Sequence, residues 1–273
     1  MQAFPDGAPA IDQLPGAVRV APLVLTPEAG LTRDPLFAQI FTRHTNKGAY
    51  DVKRPLETAQ WQQLTDIVQG AGLLVGAVTE PAAMNKVRAL TRASYGTEST
   101  TPRTWLESAR LLRIGPREID QHRDGISINA AMPRLLNALG LFDRVAVPVR
   151  GISDYERVME RWLPFETASG YLWLASRGGD RHGARDGARF SQLASGRAYV
   201  RTQLQARAQG VDMHLLSQAS QEFAEVREQY LALHKLLGLD PVTSPLQMLA
   251  RVRYGVGPAG LSPRRPLAQM LRT

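Results

Sequence analysis

The sequence predicts an α+β domain, a small mixed or antiparallel sheet wrapped by long helices. Three observations predict it. Apolar residues recur at helical spacing over Leu56–Gln69, Pro81–Tyr95 and Arg189–Gln209. Short apolar or alternating runs at Gly170–Ser176, Val211–Leu216 and Leu246–Tyr254 read as strands set between helices. A chain of 273 residues with 44% hydrophobic content has ample material for a buried core.

Residues 1–34 are rich in Pro, Gly and Asp and read as an N-terminal extension ahead of a domain spanning 35–273. Ala17–Leu25 interrupts this extension as a short strand ended by Thr26-Pro27, and such a strand needs a partner from elsewhere. Leu36, Phe37, Ile40 and Phe41 form a brief helical pattern. In Leu56–Gln69, Trp61, Leu64, Ile67 and Val68 share one helical face. Ala71–Val78 is a small apolar link, a buried turn or a strand, and Pro81 suits the start of the next helix. Glu98–Gly151 is less regular. A helix begins after Thr101-Pro102, Leu135, Leu136, Leu139 and Leu141 suggest another ending near Gly140, and Asp124-Gly125 marks a turn. The charges around that turn (Arg113, Arg117, Asp120, His122, Arg123) fit a solvated connection or a ligand-facing lid.

Beyond residue 165 the pattern is clearer. Gly170–Ser176 is a largely buried strand, and after a charged loop the stripe Leu193, Ala194, Ala198, Val200, Leu204 and Ala208 makes a long helix that Gly210 stops. Val211–Leu216 is a strand, and Ser217 caps a helix that runs on toward Gly238. The last strand places Met248, Ala250, Val252 and Tyr254 on one face and Gln247, Leu249, Arg251 and Arg253 on the other.

Composition narrows the function classes. No apolar run approaches the ~20 residues of a membrane helix, and the N-terminus lacks the basic start and apolar core of a secretion signal, so no membrane and a cytoplasmic location are expected. The absence of cysteine removes disulfides, thiolate catalysis and thiolate metal sites. His122 has no ligand-spaced companion, so no metal is expected. The formal charge is +8, yet the arginines are scattered from Arg19 to Arg272 without a dense aromatic-laced run, which argues against a nucleic-acid partner.

Two basic clusters carry the candidate chemistry. Arg43-His44-Thr45-Asn46-Lys47 gathers two fixed cations, a hydroxyl and an amide within five residues. Arg43 can fork onto an oxyanion, Thr45 can donate a hydroxyl, and Lys47 can stand off as a point charge. The same residues also fit a polar helix terminus with a C-cap. Near the C-terminus, Arg264 and Arg265 follow Gly255-Val256-Gly257-Pro258-Ala259-Gly260. That run matches G-x-G-x-x-G in letters only, because Pro258 and Pro263 stand where a long helix should begin. It reads as a flexible lead-in that brings Arg264 and Arg265 to an anion, or as a basic tail.

The stretch Arg43–Asp51 resembles the Arg-x-Ser/Thr-x-Arg/Lys signature of the flavin-dependent nitroreductase family, and Leu261–Leu267 resembles its C-terminal basic motif. Ser195–Tyr199 running on to Gly210–Gln218 is similar to its Ala/Gly-rich helix and Gly-Leu/Val strand. Asp34-Pro35-Leu36-Phe37 looks most like the Acg-like, dormancy-associated branch. The resemblance implies the nitroreductase fold, with FMN at an interface between two subunits or two repeated halves, and hence a possible homodimer. It implies that Arg43, Thr45, Arg264 and Arg265 hold the phosphate and that Lys47, or Asn46 beside it, serves the pyrimidine side of the ring. It further implies that the turn at Ser217-Gln218 offers a backbone N–H to the flavin, that NAD(P)H is the electron donor, and that a small molecule is the second substrate. The family's Ser-x-Asn-x-Gln-Pro-Trp segment is replaced here by Ala71–Gly76. In the Acg-like branch that segment belongs to a first half, so the resemblance implies a second half alone, a truncated product or a misassigned start codon. Two functions follow: an FMN-dependent oxidoreductase, and a flavin-binding or storage protein without turnover.

Overall fold

Four antiparallel strands form the centre of the computed structural model, which describes residues 26–68, 72–145, 167–177, 186–221, 223–257 and 259–271 with scattered positions before residue 25. In chain order the elements are a 3-10 turn (Phe37–Phe41), α1 (Thr58–Asp66), β1 (Leu73–Val78), α2 (Pro81–Thr100), α3 (Pro102–Arg110), β2 (Leu112–Ile114), α4 (Gly115–His122), β3 (Ile126–Ile128) and α5 (Ala131–Ala138). There follow β4 (Gly170–Ser176), α6 (Asp186–Ala208), β5 (Asp212–Leu215), 3-10 turns at Gln218–Ser220 and Ala224–Val226, α7 (Arg227–Leu237), β6 (Leu246–Arg253) and α8 (Leu267–Met270). The sheet runs β1-β4-β6-β5, so β5 is an edge strand.

Strand periodicity divides the core in two. Leu172, Leu174, Ala250 and Val252 project to one face and pack with Leu64 of α1 and Ala198 and Ala206 of α6. Tyr171, Ala175 and Leu249 project to the other and meet Val87 of α2 and Leu233 of α7. The helices end where local chemistry says they should. Glu80 accepts from the Ala82 and Ala83 N–H groups at 2.9 and 2.7 Å at the head of α2, ahead of Pro81. Gly210 and Gly238 close α6 and α7 with φ of 69° and 68°. α7 is tied to β6 by buried His234, whose Nδ1 donates to Tyr230 O and whose Nε2 accepts from Leu246 N at 2.9 Å.

The expected α+β architecture is present, with a sheet that is antiparallel throughout and a separate parallel pair, β2–β3. Other expectations change. The helix expected from Ser217 starts at Arg227. Ser217 makes no side-chain cap, and the Ser220 N–H and hydroxyl close onto Ser217 O, holding a tight turn that buries Ala219. α2 runs past Tyr95 to Thr100, and in this last part the hydroxyls of Ser99 and Thr100 bond back to Tyr95 O and Gly96 O, four residues earlier. The Glu98–Gly151 segment holds three helices and two strands as far as residue 145, and its three-residue strands are too short to show a period of two. Much of the strand expected at Ala17–Leu25 lies outside the described residues, and the described positions 20–22 and 24 carry no strand. No helix among the described residues is long and apolar enough to cross a membrane.

Gly170, at the start of β4, lies where a Cβ would sit 2.7 Å from the Trp61 ring and 2.9 Å from Val78 O. Gly170→Ala is expected to lower stability by about 1–3 kcal/mol in a urea melt, through overpacking against ring and backbone.

Candidate functional site

Residues 43–47 lie beside the edge strand β5 without regular secondary structure, Asn46 N–H donating to Met213 O at 3.3 Å. Two buried residues from elsewhere divide their side chains between two sides. On one face, Gln203 of α6 accepts from Arg43 Nη1 at 3.0 Å and donates to Thr45 Oγ1 at 3.4 Å. On the other, Asp212 at the head of β5 accepts from His44 Nε2 at 3.1 Å and Asn46 Nδ2 at 2.7 Å. His44 Nδ1 faces Thr42 O at 3.0 Å, so each ring nitrogen lies beside an oxygen. Asn46 is turned inward, and its Oδ1 also accepts from Gly48 N.

Beyond Lys47 the chain is held by two arginines of β6. Arg251, 1% exposed, donates through Nη2 to Lys47 O and Gly48 O at 2.9 and 2.8 Å and lies over the Tyr50 ring at 4.2 Å. Its Nε donates to His214 Nδ1 at 3.0 Å, and its Nη1 reaches Thr167 Oγ1. Arg253 donates to Val52 O, Arg54 O and Ala168 O at 2.6, 3.2 and 3.3 Å. Burial pulls both guanidiniums below their ordinary range. The same burial raises the Tyr50 phenol. Since Arg251 can only donate, His214 Nδ1 must carry a lone pair, and the ring is neutral with its proton on Nε2. Burial, then the charges of Arg251 and Lys47, depress His214 to about 3.

The structure thus brings Arg43, Thr45, Asn46 and Lys47 together beside β5. The anchors of Asn46 are within the protein, whereas Arg43 keeps donors beyond its bond to Gln203 and Lys47 is exposed. Protein bulk around Lys47 pulls its ammonium below the usual lysine range. Ser217 and Gln218 follow the far end of β5. Burial pushes up the Glu98 carboxyl near Gln218, and Glu98 Oε2 is buried with no hydrogen bond among the described residues. Arg265 pairs with Asp124, which also takes Arg113 at 3.0 Å, and Arg264 is exposed. The lead-in before them is only partly free, because Gly255 bridges Tyr50 and Val256 N–H donates to Ala49 O. The holding residues Gln203, Asp212, His214 and Arg251 escape local sequence motifs. The available signal is the pair Arg251 and Arg253 on one face of the last strand.

No family model and no curated protein matches the chain. Solved structures do. A nitroreductase with bound FMN from Desulfitobacterium hafniense superposes with a TM-score of 0.51 at 11% identity, over 89% of this chain and 99% of that one. The chain has the nitroreductase fold. The FMN-dependent nitroreductase NfnB from Mycobacterium smegmatis, in complex with NADPH, gives 0.50 at 14% identity, over 86% and 96% of the two chains. NfrA2 from B. megaterium gives 0.50 at 9% identity, over 88% and 74%. Within the nitroreductase fold of this chain, the 43–47 stretch lies beside the edge strand β5, and the carbonyls of Lys47 and Gly48 are fixed from β6.

Two outcomes are expected. Arg251→Met removes the donors of Lys47 O and Gly48 O and should cost roughly 2–4 kcal/mol in a chemical denaturation experiment, with hydrogen exchange rising over residues 46–50. His214 titrates at about 3 in the fold against 6.5 when unfolded, so between those values the unfolded chain takes up the proton. The stability it contributes is complete above about pH 6.5 and lost as pH falls toward 3, so His214→Gln should flatten the pH dependence of the melting midpoint in that window.

Proposed function

We propose that the chain binds FMN and acts as a flavin-dependent oxidoreductase that takes electrons from a nicotinamide and passes them to a small-molecule acceptor. The observation that carries this reading is the outward donor set of the 43–47 stretch. Gln203 draws Arg43 and Thr45 away from the Asp212 anchor, and Lys47 is exposed two residues further on. Thr45 accepts from Gln203 and so has its own O–H to give, and Arg43 has further N–H groups beyond the one Gln203 takes. A guanidinium, a hydroxyl and an ammonium on one face fit a phosphate of nearly −2 charge and an electron-rich ring edge. Arg43 and Thr45 hold the phosphate, joined by Arg264 and by Arg265 if it leaves Asp124. Lys47 stands at the ring edge, where a cation favours accumulation of negative charge. The backbone at Ser217-Gln218 supplies an N–H. When bound, FMN supplies hydride chemistry. The two structures described above as containing FMN or NADPH share this fold, which supports the choice of ligand.

A second reading has its own observation. Where the resembled family places a Ser-x-Asn-x-Gln-Pro-Trp segment, this chain enters β1 with Leu73, buried in the core. A flavin-binding protein without turnover would need no such segment.

The test is a flavin fluorescence titration of wild type and Arg43→Ala. FMN affinity should fall at least about tenfold, in line with loss of a charge-assisted contact, while riboflavin, which lacks the phosphate, should respond far less. Unchanged FMN affinity in Arg43→Ala would sink the assignment. Sustained NADPH oxidation by the FMN-loaded protein selects the oxidoreductase over the storage reading.

A further inference from the structure

On the His44 side of the 43–47 stretch, opposite the proposed flavin face, lies a cavity of about 460 Å³. Arg54, Arg207, Asp212, Tyr254 and Gly257 contribute to its wall together with His44. Its electrostatics are lopsided. Asp212 is the only carboxylate in the wall among the described residues, and His44 Nε2 and Asn46 Nδ2 already span it. Arg207, half-buried on the last turn of α6, has no carboxylate partner among the described residues. Arg54 likewise has none, and its guanidinium lies 3.6 Å from the centre of the Tyr254 ring. That ring is itself held by Gln60, whose side chain exchanges hydrogen bonds with the Tyr254 hydroxyl at 2.7 and 3.1 Å. Stacking fixes the plane of Arg54 while leaving its edge N–H groups directed outward. At Gly257 an added Cβ would meet nothing within 4 Å, so backbone there is open to a ligand.

We infer that this cavity binds the phosphate or carboxylate group of an anionic small molecule, at a site separate from the flavin face. Two guanidiniums without carboxylate partners on the wall of a concave site are an arrangement that an oxyanion completes, through charge-assisted bonds that arginine makes in pairs. None of Arg43, Thr45, Lys47, Arg264 or Arg265 is in the wall, so the inference stands whether or not flavin binds.

The experiment is a thermal melt of the full chain against rising inorganic phosphate or benzoate, each balanced with sodium chloride to constant ionic strength. Phosphate can also approach Arg43, so the titration is run in wild type and in Arg43→Ala. A saturable rise in midpoint that survives Arg43→Ala is expected. The rise should require at least about tenfold more ligand in the Arg54→Gln/Arg207→Gln double variant. Response to phosphate alone identifies a phosphate site, and response to benzoate alone a carboxylate site. Ala259→Trp, which fills the cavity without altering a charge, should abolish the response and serves if the double variant does not fold. An unchanged response in either cavity variant, or no response to either probe in wild type, overturns the inference.

Discussion

Arg251 is buried in a strand of the central sheet, and a guanidinium placed there has to be met by acceptors or it would destabilise the fold by several kcal/mol. The acceptors come from a segment that needs donors in turn. Apart from the Tyr50 bridge to Gly255, residues 47–54 have no regular secondary structure, so no ladder takes up their carbonyls. Arg251 takes Lys47 O and Gly48 O, and Arg253, two residues on and hence on the same face, takes Val52 O and Arg54 O. The cross-strand partners complete the arrangement. His214, opposite Arg251, gives its Nδ1 lone pair and is held neutral for that reason, while Asp212, opposite Arg253, anchors His44 and Asn46. The edge of the sheet and the basic stretch beside it are therefore one unit.

This unit fixes what the stretch can present. With His44 and Asn46 drawn to Asp212 and Arg43 and Thr45 drawn to Gln203, the five residues cannot twist without breaking buried bonds at one end or the other. A ligand met by Arg43, Thr45 and Lys47 would find donors already oriented, which lowers the entropy lost on binding. The opposite side of the same stretch faces a cavity whose guanidiniums, Arg54 and Arg207, have no carboxylate partner among the described residues. The C-terminal arginines are arranged differently. Arg265 rests on Asp124 between β3 and α4, an exposed contact of small energetic weight that a phosphate could outcompete.

Much of the fold was legible because its signals are local. The two faces of β6, the stop at Gly210 and the proline start of α2 each follow from a few adjacent residues. The short strands β2 and β3 were not legible, since three residues show no period, and the late start of α7 was hidden by a serine that suits a cap but closes a turn instead. At the site, the basic stretch was visible but its division into two faces was not. That division depends on Gln203 and Asp212, more than 150 residues away in sequence, which no local pattern connects to Arg43 or Asn46.

The central claim is that the fixed donors beside β5 receive a flavin phosphate. The visible absorption spectrum of the purified chain, with mass identification of whatever heat releases, tests it most directly. The account predicts a flavin spectrum, present on purification or restored by added FMN, with FMN as the released species. A protein that is colourless and takes up no FMN would contradict it, and would leave a nitroreductase fold whose basic stretch serves another anion.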